Sequence, residues 1–385
     1  MRVVLCPNPF RDCLDAAAVA AAMRIGVARA APEVVFDSLP LADGGDGSAA
    51  AVIRYVAPEI VATTAPDAQG VLGPARWLRW GDCAFIETAE TCGLSRLTRR
   101  GAALAPAASS TFGVGVLIAQ AIAAGARTIY VGAGGSASID AGAGALIALG
   151  AELRDARGQL LAPTPRGLHG VAAIDTDKLA ARLAGVRLIV LSDVEIPLGG
   201  NVAAFGRQKG VTDADAPVID AALAGLDRLA RARGRALLAT PWLGAGGGLA
   251  GGLAAFAGAH VQSGADWFLG LSGFDARVRD AALVLTGEGT FDASSTAGKL
   301  PFAVAVRAAK LGVASGVITG RITGGREALP ATTALRALNA APASAAHDIA
   351  DAACAIAVDR LVLGHHADHA DHADHADHAD HGAAA

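Results

Sequence analysis

The chain has 385 residues, 53% hydrophobic and 18% charged, with 48 glycines against 10 phenylalanines and 4 tryptophans. That length suffices for about two domains with their own cores and excludes a small disulfide scaffold. A formal net charge of -4 offers no basic field to nucleic acid or an anionic membrane, so neither is expected as a partner.

Small aliphatic side chains with many glycine turns suit α/β folding, and the chain repeats a strand, turn and Ala-rich helix pattern. Arg2–Cys6 reads as a first strand, too short an apolar run for a signal peptide. It leads through Pro7-Asn8-Pro9-Phe10 to a helix capped by Asp15. Val34–Asp37 leads through Leu39-Pro40-Leu41 to Asp43-Gly44-Gly45-Asp46-Gly47-Ser48. Arg127–Val131 leads to Gly132-Ala133-Gly134-Gly135-Ser136, read as the opening of a helix that ends near Gly150. Val186–Leu191 leads to Ser192-Asp193-Val194-Glu195. The longest charge-free stretch, Ala236–Ala265, is long enough to span a membrane, but Gly246-Gly247-Gly248 would break a helix there, so no membrane role is expected. Ala281–Leu285 then leads to a turn at Thr286-Gly287-Glu288-Gly289. From His365 to His381 the chain repeats His-Ala-Asp, a tail expected to be disordered, whose imidazoles and carboxylates suit Ni²⁺ or Zn²⁺. The bland alternative is a triplet expansion with incidental metal affinity. Five cysteines without a CxxC read as reduced thiols and a cytoplasmic location.

Ligands bind at the carboxyl ends of strands in open parallel sheets, so these turns are where chemistry is expected. A helix opening at Gly132–Ser136 would offer free N–H groups and a positive dipole end to an anion. The same segment also fits a loose dinucleotide fingerprint with Glu152 beyond it, which keeps an NAD(P)-dependent oxidoreductase as a rival. Against it, Glu152 sits beside what reads as a hairpin turn. Asp43 and Asp46, three residues apart in a glycine turn, suit Mg²⁺ held directly or through water. Glu288 and Asp292 repeat the arrangement, and Lys209 and Lys299 supply scarce positive charge for phosphate oxygens. No Walker A, GxSxG or HExxH motif is present. What remains is an acidic, glycine-rich composition suited to phosphoryl transfer, where positioning and charge neutralisation do most of the work.

At these residues the sequence resembles the bacterial two-domain glycerate kinase family. Carrying the likeness are Pro7–Phe10, Leu41–Ser48, Ile86–Leu94, Thr111–Gly115, Gly132–Gly150, Asp193–Leu198, Phe205–Gly210, Gly244–Leu253, Leu285–Asp292 and Gly298-Lys299-Leu300-Pro301. The resemblance implies two α/β domains. A Rossmann-like parallel sheet would be built from residues 1–75 and 275–362, a second domain from 76–274 would be inserted, and 363–385 would form the tail. It implies ATP and Mg²⁺ as cofactors and glycerate or a related small hydroxy acid as substrate; a homodimer is one assembly open to the chain, and the sequence itself does not fix the oligomeric state. Within it, Asp193 or Asp43 would orient the substrate hydroxyl, and Asp46, Glu288 and Asp292 would hold Mg²⁺ or its waters. Lys209 and Lys299 would neutralise phosphate; Gly132, Gly134, Gly135, Ser136, Gly287 and Gly289 would cradle it; Arg11 would take the substrate carboxylate. Four departures mark a divergent member: Asn8, Ile139, Ile196 and Thr290 stand where the family pattern has Asp, Asn, Asn and Arg. They motivate an alternative, a binding or regulatory protein on the same scaffold.

Overall fold

The computed structural model describes residues 1–10, 13–338 and 345–363. In chain order the strands are β1 (Arg2–Leu5), β2 (Val35–Ser38), β3 (Glu59–Pro66), β4 (Leu72–Trp80), β5 (Cys83–Glu87), β6 (Thr128–Gly132) and β7 (Glu152–Asp155). They continue with β8 (Val171–Asp175), β9 (Arg187–Ser192), β10 (His260–Ser263), β11 (Leu283–Phe291), β12 (Ser315–Ile322) and β13 (Thr333–Ala337).

Two compact units result. One holds Met1–Leu41, Leu269–Thr296 and the described residues from Leu300 onward. Its sheet, in the order β13-β12-β11-β1-β2, is parallel throughout and draws its strands from both chain ends, as expected. The strand order reverses between β1 and β11, the point where such sheets open a crevice. Helix Ala16–Ala30 starts where Asp15 Oδ1 accepts the Ala18 N–H (2.8 Å), and it buries Val19, Met23 and Val27. It crosses helix Ala345–Ala357 so closely that a Cβ on Gly26 would lie 1.9 Å from Ala350 O.

The other unit holds Ala42–Phe268 with Ala297–Lys299. Its six-stranded sheet runs β10-β9-β6-β5-β4-β3; β5, β6, β9 and β10 are parallel, and β3 and β4 extend it antiparallel. Residues 42–75, expected with the chain ends, cluster here because β3 pairs with β4 from Glu59↔Arg79 to Pro66↔Leu72, and β4 with β5. Central strands such as β9, buried along Leu188–Ser192, read as unbroken apolar runs because both faces are covered. The carboxyl ends of the four parallel strands, β5, β6, β9 and β10, deliver Glu87, Gly132, Ser192 and Ser263 to one edge of the sheet.

Candidate active site

The acidic turn Asp43–Ser48 is laid across those four strand ends, and glycines make the approach possible. A Cβ on Gly44 would lie 2.6 Å from Leu191 O at the end of β9, and one on Gly264, just after β10, would lie 1.9 Å from Asp43 O. The Gly134 N–H donates to Gly44 O (2.9 Å) after β6. Within the turn, Asp43 Oδ1 accepts the Gly45 N–H (3.2 Å), and Ser48 Oγ accepts from Gly44 N–H (3.1 Å) while donating to Gly45 O (2.7 Å).

This packing brings together three of the residues the sequence singled out. A Cβ on Gly134 would lie 2.6 Å from Asp193 Oδ2, one on Gly135 2.1 Å from Asp46 Oδ1, and one on Gly45 3.1 Å from Asp43 Oδ1 and 3.9 Å from Asp193 Oδ2. Three carboxylates therefore face a patch of glycine backbone, the close approach for which glycine is suited. Ser192 Oγ donates to Val194 O (2.9 Å) and shapes the turn that carries Asp193.

Lys209 is buried, 5% exposed, and donates to Ser136 Oγ (2.9 Å) and Ser138 O (2.9 Å), so its charge lies beside the Gly135–Ser136 loop and fixes it. Cys92 joins the same network, its thiol donating to Ser138 Oγ (3.1 Å); burial pushes that thiol up to about 11. Lys299 lies in a short segment whose Ala297 O accepts the Glu195 N–H (2.6 Å), two residues beyond Asp193.

Sequence reasoning missed Glu87 and Asp140. Glu87, 7% exposed, accepts from Gly47 N–H (2.7 Å) and Ala49 N–H (2.8 Å), capping helix Ser48–Val56 immediately after Asp46. Burial, helped by the nearby Asp46 charge and opposed by those two N–H groups, pushes its carboxyl up to about 7. Asp140 is fully buried and accepts from Thr111 N–H and Oγ1 (both 2.8 Å), Gly142 N–H (3.1 Å) and Gly144 N–H (3.1 Å). Burial raises its carboxyl's pKa against the pull of these donors. The only sequence signal for either residue was its place in a segment of family likeness.

Several expectations need correction. The helix expected to open at Gly132–Ser136 starts only at Ala143, and Asp140 fills its first turn, so no dipole end is offered to an anion there. The Gly134 N–H is committed to Gly44 O, which removes it from the phosphate cradle. In the first unit, Thr286–Gly289 is no turn, because β11 runs on to Phe291 and pairs Gly287↔Ile318 and Glu288↔Thr319 with β12. Gly287 is small because a Cβ there would lie 2.3 Å from Ile318 O, so it and Gly289 are strand residues, not a phosphate loop. Glu288 is buried on that strand beyond the end of β1, where the Asn8 N–H donates to Gly287 O (3.0 Å). Asp292 Oδ1 accepts Ser294 N–H (2.8 Å), Ser294 Oγ and Ser295 N–H (3.2 Å), so that oxygen caps its own turn. Ile139, one of the four departures, is 0% exposed within the apolar core. Arg11 and the His365–His381 repeat lie outside the described residues.

Among the described residues no three His, Cys, Asp or Glu side chains form a ready metal cage. Mg²⁺ does not need one: it keeps several waters and is held by one or two carboxylates plus substrate phosphates. Asp46, a carboxylate set against glycine backbone, fits that mode as one such oxygen ligand. Among the same residues no helix is long and apolar enough to cross a membrane.

An acidic, glycine-lined edge at the carboxyl ends of parallel strands is the architecture of an α/β phosphotransferase. The sequence matches the glycerate kinase family over residues 3–359. It is 35% identical over 318 residues to the glycerate kinase of Bacillus subtilis strain 168, covering 80% of this chain and 82% of that one. It is likewise 35% identical over 316 residues to glycerate 2-kinase of Escherichia coli K12, covering 79% and 81%. A crystal structure from Salmonella typhimurium LT2, provisionally named glycerate kinase 2, superposes with a TM-score of 0.72 at 32% identity, covering 95% of this chain and 99% of that one. The chain belongs to the glycerate kinase family.

Proposed function

We propose that this chain is a cytoplasmic, Mg²⁺-dependent kinase that transfers the γ-phosphoryl group of ATP to a hydroxyl of glycerate. The observation that carries the reading is the convergence of Asp43, Asp46 and Asp193 on the glycine backbone of residues 45, 134 and 135.

The substrate hydroxyl oxygen forms a bond to the γ-phosphorus as the bond to the β,γ-bridging oxygen breaks, and ADP leaves. The hydroxyl proton passes to a carboxylate, Asp193 or Asp43, either of which orients the oxygen in line. Bound Mg²⁺ would neutralise developing phosphate charge, with Asp46, Glu288 and Asp292 proposed from the sequence alone as its protein or water-shell ligands. Lys299 supplies a point charge for phosphate oxygens, and Lys209 keeps Gly135 and Ser136 in place with its charge behind them. Arg11 is proposed for the substrate carboxylate from the sequence alone.

The test is ADP release from the purified chain with ATP, Mg²⁺ and D-glycerate. Asp193→Ala is expected to lower kcat by about 100-fold or more while leaving the melting temperature nearly unchanged. Full activity in that variant removes Asp193 from the mechanism, and no turnover by the folded wild-type chain overturns the kinase reading. The homodimer and the metal-binding tail stay part of the proposal. Sedimentation tests the first, and a Ni²⁺ titration against a chain ending at Leu363 tests the second.

A further inference from the structure

Trp242 sits in the charge-free stretch that the phosphotransferase reading leaves unused. Its backbone is left-handed, φ +68, and the other non-glycine residues in that region, among those described, are the alanines Ala57 and Ala141. A bulky side chain is unfavourable there and persists only where its surroundings impose it. The surroundings do so. Leu243 is buried in the core next to it, the Gly244 N–H donates to Ile196 O (2.8 Å), and Ser192 Oγ lies 3.4 Å from Trp242 O.

The half-buried indole is thereby turned onto Gly298. A Cβ on Gly298 would lie 2.6 Å from Trp242 Cη2 and 3.2 Å from Cζ3, and Gly298 itself has φ +101. On one side the indole lies against the Gly298 α-carbon; on the other the Glu195 N–H holds Ala297 O at 2.6 Å. This three-residue strap, Ala297–Lys299, belongs to the same compact unit as Trp242 and Asp193. A lysine ammonium rides on a flexible four-carbon stem, and fixing the backbone that carries it removes the backbone share of the entropy lost when its charge is placed.

We infer that Trp242 is a positioning residue for Lys299, clamping the Ala297–Lys299 strap so that the ammonium is preorganised for the phosphates of a nucleoside triphosphate. This rests on the kinase reading for the identity of the ligand.

Two measurements test it on the full chain: calorimetric binding of Mg-ATP without glycerate, and limited trypsin cleavage at the Lys299–Leu300 bond. Trp242→Ala is expected to weaken Mg-ATP binding about tenfold, the size of one charge-assisted contact, and to speed cleavage at that bond selectively. Trp242→Phe, which keeps a ring over Gly298, restores both. Trp242→Gly, which relieves the left-handed backbone, replaces the alanine variant if that one fails to fold. In a Lys299→Ala background the Trp242 substitution has little further effect on Mg-ATP binding, because it acts through the missing ammonium. Additive losses from Trp242→Ala and Lys299→Ala overturn the inference, as does wild-type Mg-ATP binding or an unchanged cleavage rate in Trp242→Ala. A wild-type chain that binds Mg-ATP but turns over no glycerate overturns the kinase reading and leaves the coupling of Trp242 to Lys299 to be decided by the same cycle.

Discussion

Gly134→Ala adds one methyl group at the point where the acidic turn meets Asp193. Gly134 is not among the glycines with a left-handed backbone, so alanine brings no conformational penalty and its effect is steric. The new Cβ would stand 2.5 Å from Gly45 Cα and 2.6 Å from Asp193 Oδ2. Ordinary contact begins near 3.4 Å, so the turn and the carboxylate must separate from it by about 0.8 Å. Overpacking of this kind costs about 1–3 kcal/mol, which for a unit of this size lowers the melting temperature by about 3–10 °C. A catalytic group displaced by about 1 Å loses on the order of 100-fold in rate, so kcat should fall far more than stability. The assay is kcat by ADP release beside melting by circular dichroism. The control is Gly270→Ala, an exposed helical site with nothing within 4 Å of the added methyl, which should keep full activity and gain slightly in stability. A Gly134→Ala protein with lowered melting temperature but wild-type kcat would refute the placement of Asp193 and Asp43 in the reacting centre.

Two further predictions concern the buried carboxylates. Glu87 has its carboxyl pushed from 4.5 up to about 7, so the folded state takes up its proton before the unfolded chain does. Its neutral form is the stabilised one: this contribution is fully present below pH 4.5 and is lost as pH rises through 7, a decline of roughly 3 kcal/mol. Urea midpoints between pH 5 and 8 should fall more steeply for wild type than for Glu87→Gln, and parallel curves would show that Glu87 does not titrate there. Asp140→Asn puts an amide NH₂ against N–H donors that now meet a carboxylate oxygen, at a site taking four donors. A loss of about 3 kcal/mol in urea denaturation is expected, and an unchanged midpoint would mean that the four bonds contribute little.

Much of the architecture was legible because the buried parallel strands carry continuous apolar runs and end in glycine and acidic turns. Asp43 and Asp46 could be chosen from that composition, whereas Asp193 took its role from the family resemblance. Gly287 and Gly289 deceived because a glycine-rich stretch after a strand has the composition of a turn, whereas here the strand continues. The need for a small residue at Gly287 comes from Ile318 O on β12, 31 positions further on, which no local pattern displays. The start of the helix after Gly132 was misplaced for a related reason. The loop to Ala143 is held by Lys209, by Cys92 and by the bridge of Gly93 to Ser136, all remote in sequence.

The same remoteness explains why the sequence offered phosphate N–H groups that other residues already hold. A glycine loop before a helix suggests an anion at the helix N-terminus, and that inference is sound only while the N–H groups are unclaimed. In the second unit Glu87 claims the start of helix Ser48–Val56, and Asp140 claims those of helices Phe112–Ala123 and Ala143–Leu149. The chain has supplied its own anions, and an incoming triphosphate would have to displace a buried carboxylate from as many as four donors. In the kinase reading, attraction for phosphate at this edge of the sheet would therefore come from cations and from the remaining loop backbone rather than from these helix dipoles. Lysines are scarce in the sequence. Lys209 is buried behind the loop and Lys299 is carried on the strap beneath Trp242, which makes the fixing of those two side chains more consequential than the glycines that first drew attention.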